Sequence, residues 1–192
     1  MSGVFLRSVR ALAIAVVLAA CAPPPPPAPP APSNPKLDAL FAQLHAAGDA
    51  PTAKLIEDKI WATWAESGSP TIDILMERAQ IATASGDTSL AKQFLDEATR
   101  LKPDYAEAWN RRAILAFDQQ NYTAAIGDIQ EALKREPRHF GALAGLGMIY
   151  ESLGQEKAAL AAYRDAVTVN PFLEQAKQGA ARLGPKIDGR ET

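Results

Sequence analysis

The chain has 192 residues, of which 47% are hydrophobic, and its 20 basic residues nearly balance its 22 acidic ones. The formal net charge of −2 argues against a nucleic-acid-binding protein, because such proteins need clustered lysine and arginine. One cysteine and two histidines exclude an internal disulfide framework and leave little material for a metal site or a catalytic cluster.

The N-terminal residues have the composition of a targeting segment. Arg7 and Arg10 precede an unbroken apolar run over residues 11–20, about half the length that a membrane-spanning helix needs. The run ends in Leu18-Ala19-Ala20-Cys21, which resembles the bacterial lipobox, where a signal peptidase cleaves before the cysteine and the new N-terminal residue is acylated. An ordinary signal cleaved after Ala22 and an uncleaved signal are the alternatives.

The resemblance to bacterial lipoproteins implies a signal peptide over residues 1–20 and a palmitate-bearing Cys21 as the first residue of the mature chain. Several acyl chains on one residue suffice for stable membrane attachment. In such lipoproteins an alanine after the cysteine, like Ala22, implies sorting to the outer membrane. We therefore expect a lipid-anchored protein of the cell envelope that faces the periplasm.

Nine of the 15 prolines lie between Pro23 and Pro35, so residues 21–35 combine the lipidated cysteine with a proline-rich linker. Proline lacks an amide hydrogen and its ring fixes φ, which prevents helix and sheet here and favours polyproline II. At roughly 3.1 Å per residue, such a linker holds the following domain about 40 Å from the membrane. A ligand for a proline-binding module is the alternative to this spacer role.

Residues 36–71 contain two amphipathic helical patterns separated by a turn at Gly48. The apolar faces carry Leu37, Leu40, Phe41 and Leu44 in the first pattern, and Ala53, Ile56, Ile60 and Trp64 in the second. We predict that this pair is an N-terminal cap or a degenerate first unit of the repeats that follow. Trp61 and Trp64 are expected to pack in the core near Leu75, and an aromatic ligand box is the alternative.

Three units of 34 residues follow in the sequence. They cover residues 72–105, 106–139 and 140–173 and are aligned by Pro103, Pro137 and Pro171. The eighth, twentieth and twenty-seventh positions are always small: Ala79, Ala113 and Gly147; Ala91, Ala125 and Ala159; Ala98, Ala132 and Ala166. A 34-residue period with small residues where paired helices approach each other resembles the tetratricopeptide-repeat family over residues 72–173.

The resemblance implies an all-α fold, a right-handed superhelical solenoid of antiparallel helix pairs in which a proline follows each second helix. Residues 174–184 are predicted to form a C-terminal capping helix that ends at Gly184. Residues 185–192 are predicted to be a flexible tail.

The resemblance also implies a binding groove, because five positions of each unit's first helix face the inner surface in this family. The groove residues so implied are Met76, Gln80, Glu107, Asn110, Ile114, Phe117, Asp118, Gly141, Ala144, Met148 and Glu151. The apolar members form an adaptable strip, with packing against a neighbouring helix as the alternative, and Asn110 is placed to bond a peptide backbone. The carboxylate clamp of this family is missing, since Met76, Gln80 and Gly141 stand at its positions, which disfavours chaperone docking of that type.

Two further features have both a structural and a functional interpretation. Arg78 and Arg112 replace the leucine that is usual at the seventh position, either to pair with acidic residues of the stack or to grip a ligand carboxylate. Gly141 and Gly145 fall within one predicted helix, where each costs roughly 1 kcal/mol relative to alanine. Something is therefore expected to approach this helix closely: another helix of the stack, a ligand peptide or a second subunit.

No catalytic or metal-binding constellation is visible, and no cofactor is implied. We predict a non-enzymatic, membrane-anchored scaffold or adaptor that faces the periplasm, binds a segment of a partner protein and acts in cell-envelope assembly. The alternative is a structural envelope subunit that associates with itself, as a homo-oligomer, without a peptide ligand.

Overall fold

The computed structural model describes residues 34–189, so the predicted signal peptide, Cys21 and most of the proline-rich linker lie outside the described residues. Residues 34–189 form nine helices and no strand, which confirms the predicted all-α fold. The helices are α1 (Pro35–His45), α2 (Ala50–Ala65), α3 (Pro70–Ala84), α4 (Thr88–Leu101), α5 (Ala106–Asp118), α6 (Tyr122–Arg135), α7 (Phe140–Ser152), α8 (Glu156–Val169) and α9 (Glu174–Asp188). None of these helices is long and apolar enough to cross a membrane.

Helices α3 to α8 form the three repeat units, each a closely packed pair. The turn inside each unit falls at the same position, where Gly86, Gln120 and Gly154 have φ values of 80°, 58° and 69°. The second helices of the first two units have Asp87 and Asn121 as N-cap residues, whose side chains accept the backbone N–H three residues on. These caps satisfy amide groups that have no partner within the helix.

Small residues let the two helices of each unit approach each other. The alanines at the twentieth and twenty-seventh positions are fully buried in all three units. In the third unit the ring of Tyr163 lies between two glycines, and a Cβ placed on Gly147 or Gly179 would come within 2.5 Å of a ring carbon. The α8 helix is therefore held tightly between α7 and α9.

The C-terminal helix is longer than the sequence predicts. It does not end at Gly184 but continues through Pro185 to Asp188, so the predicted tail begins too early. Proline removes one intrahelical hydrogen bond, yet Leu183 and Ile187, four residues apart, continue the buried face with exposures of 1% and 7%. This apolar contact, rather than local propensity, carries the helix past the proline.

The α1–α2 pair does not lie where the repeat pattern predicts. It packs across the edge of the stack formed by the turns between units, instead of stacking ahead of α3. Each of the three turns donates a side-chain hydrogen bond to it: Tyr105 Oη to the Ala65 carbonyl (3.0 Å), Arg138 to Asp38 (2.7 Å) and Asn170 Nδ2 to Glu57 (3.0 Å). The prediction of a stacked cap or first repeat is therefore wrong.

Aromatic side chains explain this docking. Trp64 stacks on the imidazole of His139, with ring centroids 4.2 Å apart and planes 6° apart, and its centroid lies 4.9 Å from that of Phe140. Phe41 meets Phe140 edge-on at 6.4 Å. Trp64 thus belongs to a core, as predicted, but that core lies at the start of α7 and not near Leu75.

The α1–α2 pair also differs from a repeat unit in its own packing, because its two helices contact each other less extensively than the helices of any repeat unit. His45 of α1 stands where a repeat unit has a small residue, and its side chain is exposed. The imidazole Nε2 of His45 lies 3.0 Å from the Val169 carbonyl oxygen, at the turn between α8 and α9. This contact also joins the pair to the edge of the stack.

Candidate binding groove

The first helices of the three repeat units line the inner face of the stack and enclose two cavities. The first cavity, of about 460 Å³, lies between α3 and α5 and is lined by Met76, Gln80 and Leu95 among others. The second cavity, of about 370 Å³, lies between α5 and α7 and is lined by Phe117, Met148 and Ile149 among others. Apolar side chains make up most of both linings, as is usual for ligand sites.

Four residues line both cavities: Trp61, Asn110, Ile114 and Asp118. Ile114 is 51% exposed, which is high for a large apolar side chain surrounded by other apolar groups. A ligand that lies along the inner face would cover Ile114 and could place one side chain in each cavity. The two cavities therefore form one continuous groove, called the inner groove below.

Trp61 closes one side of the inner groove, although it comes from the α1–α2 pair and not from a repeat. A Cβ placed on Gly141 would lie 2.5 Å from Cη2 of Trp61. The close approach predicted at Gly141 is therefore made by α2, a helix outside the stack. No other helix of the described residues approaches Gly145 so closely, since the nearest atom to a Cβ there would be Ile129 Cδ1 at 3.7 Å. Gly145 instead lines the second cavity, and a close approach by a ligand peptide or a second subunit stays a prediction.

A buried polar network connects the groove to the docked helices. His139 caps α7 by accepting the Ala142 N–H at Nδ1 (3.1 Å), so its proton is on Nε2, which donates to Glu107 Oε2 (3.1 Å). Glu107 also accepts hydrogen bonds from Asn110 Nδ2 (2.9 Å) and Arg111 Nε (2.6 Å). These bonds satisfy a carboxylate that is only 4% exposed.

Two opposing effects set the protonation of Glu107. Burial raises the pKa of its carboxyl group, but the hydrogen bonds that it accepts from His139 and Arg111, together with the positive charge of Arg111, lower the pKa further than burial raises it. The net result is a pKa below the ordinary value of a glutamate. Glu107 is therefore an anion that anchors α5 to α7. Its oxygens accept hydrogen bonds from Asn110, Arg111 and His139.

The structure brings together ten of the eleven predicted groove residues. Those that line at least one cavity are Met76, Gln80, Glu107, Asn110, Ile114, Phe117, Asp118, Gly141, Ala144 and Met148. Glu151 lines neither, because it bonds Tyr163 Oη (2.8 Å) and Arg182 of α9. Asn110 is 3% exposed, lines both cavities and donates one amide hydrogen to Glu107. A bond from the rest of this amide to a peptide backbone stays a prediction.

Sequence reasoning missed several groove residues. Trp61, expected in the core with a ligand box as the alternative, packs against the docking core and also lines both cavities. The repeat pattern does not predict Arg111, Leu173 and Gln175, which each line one cavity. A signal for Trp61 did exist, because the glycine at position 141 requires a neighbour that takes the place of a side chain. The pattern of repeats could not say which helix supplies that neighbour.

The two unusual arginines differ from each other. Arg112 forms two hydrogen bonds to Asp128 (2.6 and 2.9 Å) and one to Asp96 of the preceding unit (3.0 Å), so the structural interpretation is correct for it. Arg78 is exposed, forms no ion pair within residues 34–189, and lies 6.0 Å from the centroid of the Phe94 ring. Neither arginine lines the inner groove.

The rim of the inner groove carries one free acidic group. Asp118 is exposed and forms no ion pair among the residues that the structure describes. Within the same residues, no group of three or more His, Cys, Asp or Glu side chains could hold a metal ion. The inner groove therefore offers apolar surface beside the free carboxylate of Asp118, together with Arg111, which pairs with Glu107.

Comparison with known proteins gives consistent results. A family model described as tetratricopeptide repeat matches residues 76–133 and 111–180. A TPR repeat-containing protein of Rhizobium etli is 42% identical over 162 residues, which are 83% of this chain and 79% of that protein.

Two solved structures have a similar fold at low sequence identity. The Sgt2 TPR domain from Aspergillus fumigatus gives a TM-score of 0.59 at 22% identity, over 64% of this chain and 83% of that one. The complex of the TPR2B domain of yeast Sti1 with pHsp70 gives a TM-score of 0.57 at 15% identity, over 62% of this chain and 99% of that one. The period of 34 residues, the stacked helix pairs and these matches agree, and the chain belongs to the tetratricopeptide-repeat family.

Proposed function

We propose that the inner groove binds an extended segment of a partner protein and that the chain acts as a non-enzymatic scaffold. The observation that carries this proposal is the pair of apolar cavities that share Ile114 and Asp118 along one face. A half-exposed isoleucine between two apolar cavities leaves apolar surface in water, and a ligand that covers it gains roughly 25 cal/mol per Å².

The lining defines the chemistry of the segment. Two apolar side chains, one for each cavity, would flank the position of Ile114, and a lysine or arginine near them would pair with Asp118. A family relative in the fold comparison, the TPR2B domain of yeast Sti1, forms a complex with pHsp70, which is a precedent for a protein segment bound by a domain of this fold.

A free C-terminal carboxylate is not the expected ligand. Met76 and Gln80 stand at two of the three clamp positions, and at the third Gly141 lies under the ring of Trp61. None of these three positions carries a cation, and Arg111 of the first cavity pairs with Glu107, so the segment is expected to bind through side chains.

Selection from a random peptide library on the full chain tests the groove. We expect the selected peptides to share two apolar residues and a basic one, and to bind an Ile114→Glu variant at least about 10-fold more weakly, which is about 1.4 kcal/mol. Leu55→Glu is the matched control, because Leu55 is 66% exposed on α2 and lines neither cavity. Equal binding to both variants would contradict the proposal.

We further propose that the protein is anchored to a membrane through Cys21 and faces the periplasm, where it contributes to cell-envelope assembly. The support is the basic and apolar pattern of residues 1–20, the lipobox resemblance and the alanine at position 22. The proline-rich residues between Cys21 and α1 would then keep the groove away from the lipid surface.

Membrane attachment is tested independently of the groove. A Cys21→Ser variant is expected in the soluble fraction, and the parent protein is expected in the membrane fraction with a mass that includes acyl chains and lacks residues 1–20. A variant that stays with the membrane, or a parent whose mass carries no acyl group, would overturn the anchor and leave the proposal for the groove intact.

A further inference from the structure

The docked α1–α2 pair and the inner groove share residues. Trp61 of α2 packs against the core that holds the pair on the stack, and it also lines both cavities. Leu173, in the turn before α9, packs against the same core and lines the second cavity. If the pair left the stack, the groove would lose the wall that Trp61 forms, and the apolar surface beside Gly141 and Leu173 would open to water.

The position of Trp61 depends on the docking of the pair. Its indole meets the rings of Trp64, His139 and Phe140 nearly at right angles, with centroids 5.2, 5.5 and 5.3 Å apart. The side chain is half-buried, so one part of it lies against these rings while another part lines the groove. A ligand that fills both cavities therefore contacts a side chain that is in place only while α2 is docked.

The α1–α2 pair has most of its core within itself. Among the described residues, nine buried residues form this core, and eight of them belong to α1 and α2 while Phe140 belongs to the stack. The side chains of Tyr105, Arg138 and Asn170 add hydrogen bonds from the stack. Within the same part of the chain, only residues 66–69 join the pair covalently to the repeat units. The pair can therefore leave the stack without any repeat unit opening.

We propose that docking of the α1–α2 pair and ligand binding in the inner groove are coupled, so that each favours the other. This inference rests on the proposed function of the inner groove. A bound segment that contacts Trp61 holds the pair on the stack, and a pair that leaves the stack lowers the affinity of the groove for the segment. The α1–α2 pair is then a regulatory element of the binding site as well as a structural addition to the repeats.

The coupling follows from the difference between the docked and the undocked state. A ligand shifts an equilibrium between two states only by the ratio of its affinities for them. In the docked state the ligand contacts the indole of Trp61 as well as the repeats, and in the undocked state it contacts the repeats alone. The docked state therefore binds more tightly, and the ratio is the same whether the ligand acts on the pair or the pair acts on the ligand.

Hydrogen exchange on the full chain measures the coupling from the side of the pair. The probe is a peptide selected from the random library whose binding is weakened by Ile114→Glu. At saturating peptide we expect amide exchange within α1 and α2 to slow by about 10-fold. Trp61→Ala is the matched control, because it removes the contact between pair and ligand and keeps Trp64 in the docking core. In that variant the same peptide, again at saturation, should slow exchange in α1 and α2 by less than about twofold.

Peptide affinity measures the same coupling from the side of the groove. Trp64→Ala removes a ring that holds the pair on the stack, although Trp64 itself lines neither cavity. Once exchange shows that the pair is undocked and the repeat helices are still protected, we expect this variant to bind the peptide about 10-fold more weakly. Leu55→Ala is the matched control on the same helix, since Leu55 is 66% exposed and lines neither cavity. It should bind the peptide like the parent.

Three results would overturn the coupling and leave the groove in place. The first is a peptide that needs Ile114 and yet leaves exchange in α1 and α2 of the parent unchanged. The second is an undocked Trp64→Ala variant that binds the peptide as tightly as the parent. The third is equal slowing in the parent and in Trp61→Ala, which means that the contact with Trp61 is not the link. If no selected peptide needs Ile114, the proposed function fails and the coupling fails with it.

Discussion

The α1–α2 and α3–α4 pairs are both short helical pairs with an apolar face, yet they join the molecule differently. The α3–α4 pair starts a stack in which small residues let the next helix approach, so Leu115 of α5 packs onto α4. The α1–α2 pair docks through Phe41 and Trp64 onto the start of α7. Each pair therefore buries an apolar face, but the two pairs bury it against different parts of the molecule.

The largest effect is expected at the docking core of the α1–α2 pair. Trp64→Ala should cost about 3–5 kcal/mol, as for other buried aromatic residues, because it removes contacts to His139 and Phe140. Hydrogen exchange should show that α1 and α2 lose protection while α7 and α8 keep theirs. Unchanged protection in α1 and α2 would show that Trp64 does not hold the pair.

Trp64→Phe is the matched control for this core. The indole Nε1 of Trp64 is buried and has no hydrogen-bond partner in the part of the chain that the structure describes. Its loss therefore removes no bond, and the phenyl ring still fills much of the site, so we expect a much smaller loss of stability than for alanine.

A smaller effect is expected between the first two repeat units. Arg112→Ala should cost about 2 kcal/mol, because it leaves Asp128, 12% exposed, without its guanidinium partner. Arg78→Ala should change stability by less than about 0.5 kcal/mol in the monomer, since it breaks no ion pair. Urea unfolding of the two variants at low protein concentration compares their unfolding free energies. Equal losses of unfolding free energy would contradict the conclusion that Arg112, and not Arg78, stabilises the stack by ion pairs.

The acid end of the stability curve tests the network between the two regions. The folded-state pKa of Glu107 lies below its ordinary value of 4.5, so the folded chain binds fewer protons than the unfolded chain in that pH window. Its contribution to stability is present above that value and is lost as the pH falls through the lower folded pKa. Glu107→Gln should therefore flatten the fall in unfolding free energy below about pH 4.5, and an unchanged slope would show that Glu107 is not the anion described.

The smallest effect concerns a turn of the second unit. Gln120 has φ of 58° where the other two units have glycine, and a side chain in this left-handed region costs about 1 kcal/mol. Gln120→Gly should therefore raise the unfolding free energy by up to about 1 kcal/mol, and Gly154→Ala should lower it by a similar amount. Thermal unfolding checks both, and a destabilised Gln120→Gly would mean that its side chain makes a contact that outweighs the strain.

The sequence predicts the repeat units well because their signal is local and periodic. Ala91, Ala125 and Ala159 recur every 34 residues and are all fully buried. Ten of eleven groove residues follow from the same frame. A helix boundary such as that of α9 is harder, because burial of Ile187 outweighs the stop signals Gly184 and Pro185.

The docking of the α1–α2 pair could not be predicted because it depends on contacts between residues about 75 to 100 positions apart, such as Trp64 with Phe140 and Asp38 with Arg138. No period links such residues. For the same reason the sequence could not place Trp61 at the inner groove, or reveal that Glu107 accepts a hydrogen bond from His139. The periodic pattern of the sequence therefore carries no information about the long-range contacts of the α1–α2 pair, which is not a repeat.

Site-specific photo-crosslinking in cells tests the central claim, that the inner groove binds a segment of another protein, most directly. A photoreactive residue at Ile114 should crosslink a discrete partner, and a selected peptide that binds the groove should compete with it. The same residue at Leu55, comparably exposed but outside both cavities, should not crosslink that partner. The same products from both positions, or none at Ile114, would contradict the claim.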